Sequence, residues 1–441
     1  MTPGVRDFLV TFGARIGGIL IALANHSMLA WFLGPAGVGS YAACTLFTTM
    51  LLIICVLGCD VAAVYLVASK RVSLSGGISS MLVHGGLGCL LAMGVGLVLM
   101  QFPLTFLDKA SPSEFHLALL AIPLSFFAST LMLLLGALRE FSLMAVLSLA
   151  TTLIQLGWVA LFVVVVGWGV WGALLALLIS NAITIVWLTV LYRRRFQAEL
   201  VQPTAASLKE MLSFGVRYYF GKISNQVNAH IGAIILAFFA TRGELGLFTV
   251  ATVMASKIQM IPDTLSTILM PRVAVDAGGR SALVAQSARV VTVVCGALLG
   301  VLAIFATPIV RILFSPDFLE AVPLYRIVCL GIFVRVATKL FVPYLLGTDR
   351  PGIASWAVAI GMATNIVALY LLMPVMGLRG AAWAMTLGYF ASSTILLVSF
   401  VRFSGLGFYG TWRFRLSDWA MLGQTIRSVR SRFMPAVQGE I

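Results

Sequence analysis

Arg335 and Lys339 stand one helical turn apart in an otherwise apolar run, so they share one face of any helix that run forms. Seven more bases have comparable surroundings: Arg15, Arg217, Lys222, Lys257, Arg289, Arg311 and Arg326. Only two acids, Asp60 and Asp263, accompany these nine. Guanidinium and ammonium groups in excess over carboxylates suit an anionic ligand. Asn25, Asn225, Gln226, Asn228 and His230 add amide and imidazole groups that can hydrogen-bond a polar ligand. Asp60 and Asp263 are candidates for ion pairing or ion coupling.

Membrane-spanning helices must position these residues. The 441-residue chain is 61% hydrophobic and 10% charged, with mean hydropathy +1.05. Twelve runs reach spanning length: 8–33, 41–68, 77–101, 116–137, 142–166, 169–191, 211–239, 246–270, 285–313, 322–347, 353–374 and 379–402. Pro103 and Pro123 are expected to break the third and fourth. A charge inside such a run costs at least ~2.5–3.5 kcal/mol, so it is kept for water, a partner or a ligand. The first run is too long for a signal peptide and is expected to stay as a helix. All six cysteines lie in apolar runs. Cys55 and Cys59, four apart, suit a metal by spacing, but no His or second pair accompanies them, so they read as small buried hydrophobes. No metal, cofactor or nucleotide-binding loop is expected.

The net charge of +14 reads as topology, and no nucleic-acid partner is expected. With twelve spans and a cytoplasmic N-terminus, 17 Lys and Arg fall in the even-side loops and termini, and three, Lys109, Arg242 and Arg379, on the other side. Both termini are therefore expected in the cytoplasm.

The chain is written twice. Phe32 to Tyr41 matches Phe239 to Phe248 at an offset of 207, and Gly169 to Ala176 matches Gly377 to Ala384 at 208. Leu135, Gly136 and Arg139 match Leu346, Gly347 and Arg350 at 211. Six spans per repeat give both halves one orientation, with a substrate site expected between them. The expected divisions are a six-helix lobe at 1–192, a cytoplasmic linker at 193–212, a second lobe at 213–402 and a basic tail at 403–441. Ser207 and Glu210 form a capping-box pattern that opens the helix into span seven. In the tail, Trp419, Leu422, Ile426, Val429 and Phe433 follow helical spacing. That pattern reads as an amphipathic helix on the cytoplasmic leaflet, with a disordered basic tail as the alternative.

Gly246-Leu247-Phe248-Thr249-Val250-Ala251, then Ile261-Pro262 and Met270-Pro271, together with Gly34-Pro35 and Gly39-Ser40-Tyr41, resemble polysaccharide-exporting flippases. Those belong to the multidrug/oligosaccharidyl-lipid/polysaccharide exporter superfamily. The resemblance implies an all-α polytopic membrane protein with two six-helix lobes around a central cavity lined by spans one, two, seven and eight. It also implies movement of undecaprenyl-diphosphate-linked sugars from the inner to the outer leaflet of the bacterial inner membrane. The chain departs from the common pattern by holding one intramembrane base, Arg15, in its first half and eight in its second.

Depth separates the roles of these charges. Arg15 and Asp60 lie roughly 10 and 12 Å in from the cytoplasmic side and are expected to pair. Lys222, Lys257 and Arg335 lie too deep for their heads to reach water easily, and with Arg15, Arg217 and Lys339 they form the expected cationic cavity. Arg289, Arg311 and Arg326, near helix ends, are expected to snorkel. Asn25 and His26 serve equally well as helix–helix glue. The expected partners are a lipid-linked anionic saccharide and membrane lipids, with a polysaccharide polymerase and glycosyltransferases as further candidates. An antiporter for cationic drugs would want acids where this chain has bases. A polymerase or ligase of the same pathway would want a sizeable extramembrane loop, which the sequence lacks, so no enzyme is expected.

Overall fold

A backbone crossing lipid must satisfy its own hydrogen bonds, and this one does so as helix. The computed structural model describes residues 3–263, 265, 266, 269, 280–348, 350–413 and 418. Within its helices the side chains of 3–12, 15, 217, 218, 220–231, 280 and 351 lie outside that description. The described elements are α1 (Pro3–Cys55), α2 (Cys59–Ala68), α3 (Leu74–Leu99), α4 (Pro112–Ala137), α5 (Phe141–Val159), α6 (Gly169–Phe196), α7 (Ala205–Phe239) and α8 (Arg242–Ser256). They continue as α9 (Arg280–Ile304), α10 (Ala306–Leu313), α11 (Ala321–Lys339), α12 (Phe341–Gly347), α13 (Pro351–Met376), α14 (Leu378–Ser404) and α15 (Gly407–Trp412).

Ten stretches of the described residues are long and apolar enough to cross a bilayer. The first, Ile16–Cys55, has 40 residues, about twice the length one crossing needs. It turns at Gly34, whose φ of 62° and ψ of −178° interrupt α1 and which Pro35 follows. Counting it twice and adding α7 gives the twelve crossings. Leu90, Val186 and Val375 stand exposed on these helices, a surface that suits lipid and would be a liability in water.

The chain packs as two compact units, Met1–Ala251 with Thr307–Val322, and Thr252–Ala306 with Pro323–Ile441. In the first, Leu29 of α1 packs with Val159, Val163, Ala173 and Ala176. In the second, Phe341 stacks on Phe400 at 4.2 Å, and the Tyr344 hydroxyl donates to the Phe403 carbonyl at 2.8 Å.

The repeated glycines occupy matching turns. Gly169 opens α6 with φ +57°, and Gly377 precedes α14 with φ +56°. Both are conformations that favour glycine. The turn into α8 uses other chemistry from its counterpart at Gly34. Thr241 N donates to Glu244 Oε2 at 2.7 Å, and Glu244 N donates to Thr241 Oγ1 at 3.3 Å, a reciprocal cap.

Three local expectations are corrected. Pro103 lies beyond the end of α3, and α4 runs unbroken through Pro123; a bundled span tolerates a proline whose freed carbonyl finds another donor. The helix into span seven begins earlier than Ser207, because the Thr204 side chain is its cap and accepts from Ser207 N at 3.2 Å. Cys55 and Cys59 do not share one helix. Leu57 (φ 50°) and Gly58 (φ 72°) separate the end of α1 from the start of α2. The tail residues Trp419 to Phe433 lie outside the described residues.

Candidate functional site

α11 and α14 approach closely where Gly331 leaves room. A Cβ there would stand 2.9 Å from Thr386 Cα and 3.0 Å from Tyr389 Cδ2. One turn on, the Arg335 guanidinium lies 4.6 Å from the centre of the Tyr389 ring. That contact contributes on the order of 1 kcal/mol and fixes where the cation sits. Thr338 Oγ1 hydrogen-bonds Ser393 Oγ at 2.9 Å, a second rung between the same two helices. Lys339 then closes α11, and its ammonium pairs with Asp263 at the end of the eighth span.

The cluster thus holds two bases, one acid and an aromatic face. Among the described residues no carboxylate pairs with Arg335. Its formal charge is +1, in a setting where cations are costly unless matched by an anion. The Lys339 side chain is 25% exposed and that of Asp263 51% exposed. The ammonium is mostly desolvated while its counter-ion keeps contact with water. Such a group can coordinate phosphate oxygens through both bases at once.

The remaining predicted residues fall into three sets. Lys257, half-buried, opens a 3-10 turn, Lys257–Gln259, that interrupts the eighth span. Short 3-10 stretches inside long helices often mark hinges. Asn25 is buried in α1, and its Oδ1 accepts no hydrogen bond among the described residues. Asp60 lies in the first turn of α2, just past the break at Gly58. The backbones of Arg15, Arg217, Lys222, Asn225, Gln226, Asn228 and His230 are helical in α1 and α7, while their side chains lie outside the described set. The expected Arg15–Asp60 pair falls there too.

Arg289 corrects another expectation. It does not snorkel: it is buried and makes a bidentate pair with Asp418, Nε to Oδ2 at 2.8 Å and Nη2 to Oδ1 at 2.9 Å. Its Nη1 donates to the carbonyls of Gly410 and Thr411, in α15. Asp418 is a lone acid amid a basic stretch, and that isolation was the available signal. Arg326 is exposed and donates to the Ala303 carbonyl at 3.1 Å, and Arg311 is exposed on α10.

His84 does accompany the cysteine pair. Cys55, Cys59, His84 and Met211 line a cavity of about 250 Å³, with Cys59 Sγ 3.5 Å from Met211 Sδ. Among the described residues no three His, Cys, Asp or Glu side chains gather as a metal site.

A family model described as "Polysaccharide biosynthesis protein" matches residues 5–274. An uncharacterized membrane protein of Methanocaldococcus jannaschii is 24% identical over 202 residues, 44% of this chain. The match spans 40% of that relative's length. Among solved structures, the lipid II flippase MurJ in an inward closed conformation superposes with a TM-score of 0.72 at 15% identity, covering 97% of this chain and 92% of that one. An inward-facing multidrug resistance MATE family transporter of the MOP superfamily gives 0.65 at 14%, covering 88% and 95%. The Vibrio cholerae MATE transporter VcmN in its bent form gives 0.59 at 16%, covering 90% and 96%. At these identities the likeness establishes the fold.

Proposed function

The chain belongs to the polysaccharide biosynthesis protein family, and from that premise we propose that it is a flippase for a diphosphate-linked oligosaccharide on an undecaprenyl carrier. The cargo crosses a bacterial inner membrane from the inner to the outer leaflet, and both termini of the protein lie in the cytoplasm. One observation carries the reading: a partly buried cluster, Arg335 and Lys339 against Asp263, in which cations outnumber carboxylates. A lipid diphosphate supplies the missing negative charge. Lys257, on the span that ends at Asp263, extends the cationic set.

Each charge moved through the membrane potential is worth ~2.3 kcal/mol per 100 mV. A dianion leaving a negative interior at about 150 mV therefore gains about 7 kcal/mol when no ion compensates it. The bases lower the dehydration barrier for the phosphates, and no chemical step on the cargo is required. A cation antiporter would instead hold a carboxylate free to bind its cargo, and Asp263 is engaged by Lys339.

Deletion of the gene, followed by mass spectrometry of the membrane lipids, tests the reading. Accumulation of a lipid-diphosphate saccharide on the inner leaflet is expected. An unchanged lipid-linked pool with new sensitivity to cationic drugs would replace the flippase by the antiporter.

A further inference from the structure

Asp263 holds the position an anionic cargo would need. Its carboxylate pairs with Lys339, the more desolvated of the two partners, from a site that is half in water. Arg335, one turn away on the same face of α11, has no carboxylate partner among the described residues. The Tyr389 ring and the Thr338–Ser393 hydrogen bond hold α11 against α14, so the two bases are fixed in spacing whether or not an anion is present. Asp263 approaches from a different span. The cluster therefore has a rigid cationic half and a separately mounted, solvent-accessible counter-ion.

We infer that Asp263 is a built-in competitor for the cargo: its carboxylate neutralises Lys339 in the empty site, yields that ammonium to a phosphate group, and reclaims it to drive release. The inference rests on the diphosphate reading above and adds the element that limits affinity. Without a competitor, two fixed, partly desolvated cations would hold a diphosphate more tightly and release it more slowly. With it, part of the phosphate's binding free energy is spent displacing an anion already present.

The test measures binding of farnesyl diphosphate to the purified full chain in detergent, with farnesol as the uncharged control. The wild type is expected to bind the diphosphate and not farnesol, and Arg335→Gln to lose that binding. Asp263→Asn is expected to bind about fivefold more tightly, the scale of a partly exposed ion pair, while turnover in reconstituted vesicles falls. A merely structural Asp263 would lower both. Asp263→Asn leaves Lys339 without its partner and can misfold, so the double variant Asp263→Asn/Lys339→Gln is compared with Lys339→Gln alone. The carboxylate opposes the anion in that background too, and the double variant is expected to bind several-fold more tightly.

Wild-type binding that Arg335→Gln abolishes, with no gain on removing the carboxylate in either background, overturns the competitor and leaves the flippase reading in place. A wild type that binds no diphosphate overturns both. Displacement of the probe by an equal concentration of phosphatidylglycerol would assign the seat to bulk lipid headgroups and also overturn the inference.

Discussion

Gly39 of α1 and Gly246 of α8 meet backbone to backbone in a reciprocal contact. A Cβ on Gly39 would overlap the carbonyl oxygen of Arg242, and one on Gly246 would overlap that of Pro35. The same two atoms would stand 3.1 Å from Gly246 N and 3.0 Å from Gly39 N. Residues 35 and 242 are separated by 207, as are 39 and 246, so the two copies of the repeat touch through the same patch. That is the geometry of a two-fold interface written within one chain.

Gly39→Ala or Gly246→Ala should each destabilise the protein by about 1–3 kcal/mol, because backbone must shift to admit the methyl. Gly243→Ala is the control on the same helix, since nothing lies within 4 Å of its added Cβ. Thermal unfolding in detergent checks this. The double variant should cost less than the sum, because one displacement of the helices relieves both clashes.

Removing Asp418 should strand the Arg289 guanidinium in a buried site. Asp418→Asn is expected to cost about 3–5 kcal/mol, and Arg289→Met/Asp418→Leu to recover much of it. Limited trypsin digestion reads the local effect: the single variant should be cut after the exposed Arg413 far faster than the wild type. Equal rates would show that the pair does not hold the tail.

Export should depend on the cluster and not on peripheral bases. Lys257→Gln with Arg335→Gln should abolish surface-polysaccharide production while the protein still inserts in the membrane. Arg311→Gln, at an exposed position on α10, should leave production near wild type. Full production by the cluster variant would sink the cationic mechanism.

Orientation is open to impermeant thiol labelling. All six native cysteines are buried, so the background is low. Ser73, Ser111 and Thr204 cap helices, and replacing a cap costs about 1 kcal/mol. The exposed neighbours Ser113 and Ala206 are better sites. A cysteine at 113 should label from outside and one at 206 only after permeabilisation. The reverse pattern would invert the topology.

The spanning helices were legible in the sequence because crossing lipid is a local requirement. Each run must be apolar and close its own backbone hydrogen bonds, whatever its neighbours do. The repeat was legible for a similar reason: the matched Gly169 and Gly377 both have positive φ, and backbone geometry restricts the residue at such positions. The excess of intramembrane bases needed no more than counting.

Partners were decided by tertiary structure alone. Arg289 near a helix end suggested a side chain reaching for water, yet it finds Asp418, 129 residues away. Spacing groups Lys339 with Arg335 on one face, while packing brings Asp263 to the lysine and places Tyr389 beneath Arg335. A buried charge announces that it needs compensation, because desolvation is costly wherever it occurs. Which distant residue compensates depends on how separate helices pack, and no local pattern encodes that.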